Sequence, residues 1–196
     1  MAQTIPVSLP GVEVATPRVA VEDPSGTFAM PVTVLRYEPR VDVQARNLAE
    51  GQADIAIRGG TFENTGFSAG AITLYDPQTG HYFAEIPVSA AMLGAPRVRT
   101  GADHATAGWN ATAGSIAYAW LPVHTGGHAT AGFGGNELVR GEFHAGHAGL
   151  GELAGLRVAM DVSVAHSTSD GTIPRGDHEF TRYNARLQLS GAASQT

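Results

Sequence analysis

The chain has 196 residues, with 12 Lys and Arg against 18 Asp and Glu, a formal net charge of -6, 25 glycines and no cysteine. That balance, without any Lys/Arg cluster, excludes a nucleic-acid footprint, and the lack of Cys excludes disulfides, thiolate zinc sites and thiol nucleophiles. With 43% hydrophobic and 15% charged residues, the chain is too apolar for disorder and too broken by Gly and Pro for long helices.

No run approaches the roughly 18 apolar residues of a transmembrane helix, so a membrane role would fall to β-strands. The start, Met1-Ala-Gln-Thr-Ile-Pro, has neither a positive n-region nor an apolar h-region, and no secretory signal is read there. Val12 to Val21 is short, apolar and interrupted by Pro17, and Glu22 to Phe28 is a turn-rich linker. Pro31 to Tyr37 alternates and reads as a strand that begins at a proline. Ala45 to Ala53 reads as a single helical turn capped by Asn47 and ending at Gly51.

Asp54 to Arg58 alternates polar with apolar, and Gly59-Gly60 breaks it. A second run, Ala71 to Leu74, leads into Asp76-Pro77-Gln78-Thr79-Gly80, whose Pro and Gly suit a tight, exposed turn. Ser89 to Leu93 is a helix start with Ser89 as N-cap, closed by Pro96. Ile116, Tyr118 and Trp120 share one face of a strand and are expected to form its buried side.

Four strands with one apolar and one polar face follow. Ala129, Ala131 and Phe133 oppose His128, Thr130 and Gly132; Val139, Gly141, Phe143 and Ala145 oppose Arg140, Glu142 and His144. Leu156, Val158, Met160, Val162 and Val164 face away from Arg157, Asp161 and Ser163, and Tyr183, Ala185, Leu187 and Leu189 oppose Arg182, Asn184, Arg186, Gln188 and Ser190. The expected connections are 134–138, 149–155 and the long polar 167–181. Alternation alone is common to a soluble meander on a core, which it favours by itself, and to a membrane barrel wall whose apolar face meets lipid.

The order Ile57-Arg58-Gly59-Gly60-Thr61-Phe62-Glu63-Asn64-Thr65, then Asp76-Pro77-Gln78-Thr79-Gly80-His81, preceded by Pro39 to Gln44 (PRVDVQ), resembles the plug domain of TonB-dependent outer-membrane receptors, the cobalamin and siderophore importer family. The resemblance spans about residues 12 to 191 and is most specific in the middle. Arg97 to Gly101 is similar to the family's strand before an Arg-Gly-Pro turn, with Thr100 and Ala102 departing from it. The helix usual in the family before the PRVDVQ segment has no room, since only Glu38 intervenes.

The resemblance implies a mainly β chain: an N-terminal extended segment over 1–30, a small mixed α/β plug over 31–125, and over 126–196 four antiparallel strands of an incomplete outer-membrane β-barrel. Barrels of this type close with about 22 strands, so four leave two bare edges, and the chain reads as the amino-terminal part of a receptor. It implies energised uptake of a scarce nutrient such as a siderophore-iron or cobalamin, gated by the plug without covalent chemistry. It further implies the outer membrane as location, and TonB and outer-membrane lipid as partners.

Glu13-Val14-Ala15-Thr16 is the candidate TonB contact, a segment that pairs by strand addition. The plug loops at the outer mouth nominate Phe62, Glu63, Asn64, Phe67, Tyr75, Asp76, Gln78, His81 and Tyr82 for ligand contact. Arg58 and Arg99 are the candidate latch to barrel carboxylates. Should those partners be lacking, the two arginines are expected to be exposed or locally paired, Glu85 being nearest in sequence. The alternative is a secreted or periplasmic all-β binding or adhesion module.

The chemistry of catalysis finds little footing. Eight histidines include no HExxH or facial-triad spacing, and no metal or cofactor is expected. His166 and His178 flank the long loop and stand near where ligand would enter. No nucleophile elbow or phosphate loop is present, and nothing positions Glu63 and Asp76 as a glycosidase pair. The chain is read as no enzyme.

Overall fold

Short β-branched and small-residue runs, cut every few positions by Gly or Pro, give a mainly β chain. The computed structural model describes residues 30–46, 51–104 and 111–191. Its strands are β1 (Val41–Ala45), β2 (Ala53–Ile57), β3 (Thr65–Ala69), β4 (Ile72–Leu74), β5 (Arg97–Arg99), β6 (Gly114–Tyr118), β7 (Gly126–Phe133), β8 (Val139–Leu153), β9 (Leu156–Ser169) and β10 (His178–Ser190). They form three sheets: β1-β2, a mixed sheet β4-β3-β6-β5, and a meander β10-β9-β8-β7.

The first two sheets share one apolar core. In β2, Ala53, Ile55 and Ile57 are buried while Asp54 and Ala56 are partly open, as period two requires. In the mixed sheet β3 and β6 run parallel, Phe67 opposite Ile116. All five residues of β6 are buried, the usual fate of a parallel strand covered on both faces. Leu35, Ile86, Val98 and Tyr118 complete the centre, and each fully buried aliphatic side chain there contributes roughly 1.5–3 kcal/mol of transfer free energy.

Several expectations for this half are corrected. Pro31 to Tyr37 is no strand: Thr33–Tyr37 forms a 3-10 helix, with the Thr33, Leu35 and Glu38 amides donating to the Met30, Val32 and Leu35 carbonyls. Every residue from Met30 to Leu35 is buried, and the Tyr118 hydroxyl donates to the Pro31 carbonyl at 2.9 Å. A 3-10 path satisfies this backbone locally where no strand lies beside it. The helical turn over 45–53 is likewise absent at both ends, Ala45 closing β1 and Ala53 opening β2 as paired residues; Asn47 lies outside the described residues.

The helical segments among the described residues are 3-10 turns only, so the mixed α/β composition expected for 31–125 becomes β with short turns. Ser89 does cap Ala90–Met92, its Oγ accepting from the Ala91 amide at 3.2 Å. Trp120 is not on the buried side of β6: it lies beyond the strand, 40% exposed, with its indole over Gly70.

The meander reverses the usual order of a sheet on a core. Its outward face carries Phe133 (81% exposed), Val139, Phe143, Met160, Val164, Tyr183 (75%), Leu187 and Leu189. In register these form apolar rows, Ala129–Phe143–Val164–Tyr183 being one. The inward face is polar, with Asp161, Ser163, Ser167 and Ser169 buried. Leu138 and Phe180, at one end of the sheet, join the shared core.

The connection expected over 149–155 shrinks to Ala154-Gly155, both at positive φ (52° and 80°), because β8 runs on to Leu153. Such a pair matches the twist of flanking strands in a two-residue hairpin. The other two connections meet at the opposite end, where the Asp170 amide donates to the Asn136 carbonyl at 2.8 Å. β7 and β10 are the edge strands.

Candidate functional site

Two regions hold the polar and aromatic groups that can recognise another molecule. The first is the nominated loop region. Phe62, His81 and Phe83 form a three-ring cluster with centroids 4.7 to 6.3 Å apart. The Arg46 guanidinium lies 4.1 Å from the Phe83 centroid and is held there by Asp54, which accepts from its Nε and Nη2 at 3.1 and 2.9 Å. The cluster presents apolar ring surface, with the His81 ring edge-on to both phenylalanines and a guanidinium stacked on Phe83.

The Asp-Pro-Gln-Thr-Gly segment folds on itself. Asp76 Oδ1 accepts from the Gln78 amide at 2.8 Å, the Asp76 carbonyl accepts from Gly80, and the Asp76 amide donates to His81. Hydrogen bonds from the Gln78 amide first, and then from the Thr79 side chain, hold the Asp76 carboxyl below the usual carboxylate range. Its charge therefore belongs chiefly to the turn. Tyr75, Gln78 and the rest of this turn line an open concavity of about 580 Å³.

Of the nine nominated residues, Phe62 and His81 are thus brought together, and Tyr75, Asp76 and Gln78 share the second concavity. Phe67 is 2% exposed and packs in the core, with the half-buried Tyr82 ring 5.7 Å away, so Phe67 offers no surface to a ligand. Glu63 is exposed beside Phe62, with Asn64 on the same 3-10 turn. Glu13 to Thr16 lie outside the described residues.

The second region is the contact between the two halves, and here sequence reasoning missed the working residues. Arg186 in β10 donates from Nε and Nη2 to Asp161 at 2.9 and 2.6 Å, and from Nη1 to the Leu121 carbonyl at 2.7 Å. Its guanidinium also lies 5.3 Å from the Trp120 ring. Two residues earlier, Asn184 accepts from the Ser89 amide at 2.9 Å and donates to the Pro87 carbonyl at 2.8 Å. Two residues later, Gln188 accepts from the Val123 amide at 3.1 Å. Ser89 Oγ donates to Glu142 at 3.0 Å.

Successive inward positions of β10 thus grip main chain of the first half over 87–89 and 121–123. Their alternation is the signal that places them on one face, whereas their partners are backbone groups without a sequence signature. The nominated latch residues stand elsewhere: Arg58 is exposed at φ 50° and Arg99 is half-buried in β5. Neither forms an ion pair with a described residue of the meander, and Glu85 accepts instead from Gln52 at 3.1 Å.

Among the described residues no group of three or more His, Asp or Glu could hold a metal ion, and no helix is long and apolar enough to cross a membrane. No protein-family model matches the chain, and no curated protein is significantly similar to it.

Proposed function

We propose that residues 31–125 are the plug, and the meander from Gly126 onward the first wall strands, of a TonB-dependent outer-membrane receptor that takes up a scarce nutrient. The observation that carries this reading is the inverted meander: exposed Phe, Val, Leu and Tyr rows on one side and, on the other, Asn184, Arg186 and Gln188 bound to the first half. Water gives no reason to expose that many large apolar groups in rows. Lipid does, and a barrel wall turns its polar face to the lumen. The free edges of β7 and β10 fit a wall continued by further strands, since lipid cannot satisfy them.

On this reading the plug is held by side chains of the wall that bond to its backbone, and ligand meets the Phe62–His81–Phe83 cluster and the Tyr75–Gln78 turn before TonB, pulling on Glu13 to Thr16, remodels the plug. Completing the wall with the remaining strands of a TonB-dependent receptor, and measuring nutrient uptake in cells with and without TonB, tests it. TonB-dependent uptake is expected; uptake indifferent to TonB contradicts the proposal.

A further inference from the structure

A cleft of about 580 Å³ opens between the inward side of β10 and the first half, lined by Gln52, Glu85, Pro87, Asp177, Phe180 and Arg182 among others. Alternation along β10 puts Arg182 on the inward face together with Asn184 and Arg186. Those two neighbours are fully engaged with the first half. Arg182 is not: its one close contact among the described residues is the Phe180 ring, 5.7 Å from its guanidinium carbon. Glu85 and Glu142 lie within electrostatic reach of it, yet neither closes an ion pair; Glu85 is bound by Gln52, and Glu142 by Ser89.

A partly buried guanidinium with five donors and no ion pair closed on it is an unusual thing to leave in place, because the pull of Glu85 and Glu142 offsets its desolvation only in part. It calls for a carboxylate or comparable acceptor, which a planar fork binds in two parallel hydrogen bonds. The rest of the lining is acceptor-rich: Glu85, from the first half, lies within electrostatic reach of Arg182, and Asp177 lines the cleft just before β10. The Glu85 and Glu142 carboxylates near this guanidinium repel a multiply charged anion such as a phosphate ester. They favour a molecule with a cationic end beside its anionic one.

We propose that this cleft binds a small zwitterion of the amino-acid or short-peptide class, its carboxylate on Arg182 and its ammonium group at Glu85. The volume suits a molecule of two or three residues. The site is made entirely within this chain and does not rest on the plug-and-wall reading: failure of the outward face to meet lipid would contradict that reading and leave this binding untouched.

The test uses the purified 196-residue chain in detergent, titrated calorimetrically with glycylglycine, with its carboxyl-blocked form glycylglycinamide and with its amino-blocked form N-acetylglycylglycine. Glycylglycine is expected to bind saturably, and each blocked form roughly tenfold or more weakly, the worth of one charge-assisted contact. Arg182→Gln should abolish the preference for the free carboxylate, and Glu85→Gln should reduce the preference for the free amine. Should Arg182→Gln fail to fold, Arg182→Lys keeps the charge, loses the fork and is expected to bind more weakly than wild type. No saturable binding by roughly 10 mM, beyond the range two such contacts support, equal binding of all three probes, or unchanged preferences in the variants would each overturn the proposal.

Discussion

Arg186 closes on Asp161 through two contacts, 2.9 and 2.6 Å, and with its remaining nitrogen holds the Leu121 carbonyl. One side chain thereby ties β9 to β10 and both to the first half. Asp161 is 2% exposed, and His144 Nε2 stands 3.5 Å from its second oxygen. Removing either partner strands a charge away from water, whereas removing both does not.

Asp161→Leu and Arg186→Leu are accordingly each expected to destabilise the chain by about 3 kcal/mol, and the double variant carrying both by clearly less than their sum. Chemical denaturation of the four proteins of this cycle in detergent measures it. Strict additivity would mean that the pair is not coupled.

Gly70 serves the β3–β4 turn twice. Its φ of +59° suits glycine, and a Cβ there would stand 2.5 Å from Trp120 Nε1. Gly70→Ala should therefore cost more than the roughly 1 kcal/mol of backbone strain alone. In a Trp120→Ala background the steric part vanishes and the backbone part remains. The difference between the two backgrounds, read from unfolding midpoints, is the coupling of Gly70 to the indole.

Two tyrosines give the fold a limit in alkali. Burial first, and then the Glu85 carboxylate, push the Tyr82 phenol up to about 12. Burial also raises Tyr118, whose hydroxyl donates to Pro31. Both are acids whose folded-state pKa lies above the free value of about 10. Their contribution to stability is fully present below pH of about 10 and is lost as pH rises through the folded-state values. Absorbance at the tyrosinate band should show the Tyr82 phenol resisting ionisation until about pH 12 and Tyr118 resisting it as well, with unfolding stability falling over the same range. In Tyr82→Phe the alkaline fall should be shallower.

What the sequence made legible followed periodicity. β2, β7, β9 and β10 stand where alternation put them, and Ser89 caps the turn that its side chain predicts. Thr65–Ala69 was not recognisable as a strand because Gly66 and the small residues Ser68 and Ala69 give it no apolar period, and its partner β6 pairs with it across 49 residues. Pro31 to Tyr37 alternates yet folds as a 3-10 helix, since both of its faces are buried and alternation records only a difference between faces. The far end of β8 was lost in a run of Gly and Ala that signals a loop but pairs with β9 past a register shift between His147 and Gly151.

The site was legible in part for the same reason. Rings and turn residues carry their chemistry in the side chain, so Phe62, His81 and Asp76 could be singled out. The grip of Asn184, Arg186 and Gln188 could not, because half of each contact is a peptide group of a segment distant in the chain. A latch between two side chains was the natural expectation, and Arg58 and Arg99 the natural candidates. The observed contacts join side chain to main chain.

The central claim is that the apolar side of the meander faces lipid while its polar side faces the first half. Because the chain has no cysteine, single cysteines placed along β9 at Ala159, Met160, Val162, Ser163 and Val164, each labelled with a fluorophore in the chain joined to the remaining wall strands and folded into bilayers containing brominated acyl chains, read this residue by residue. The account predicts quenching that follows the alternation, strong at 160, 162 and 164 and weak at 159 and 163. Uniformly weak quenching, or alternation of the opposite parity, would contradict it.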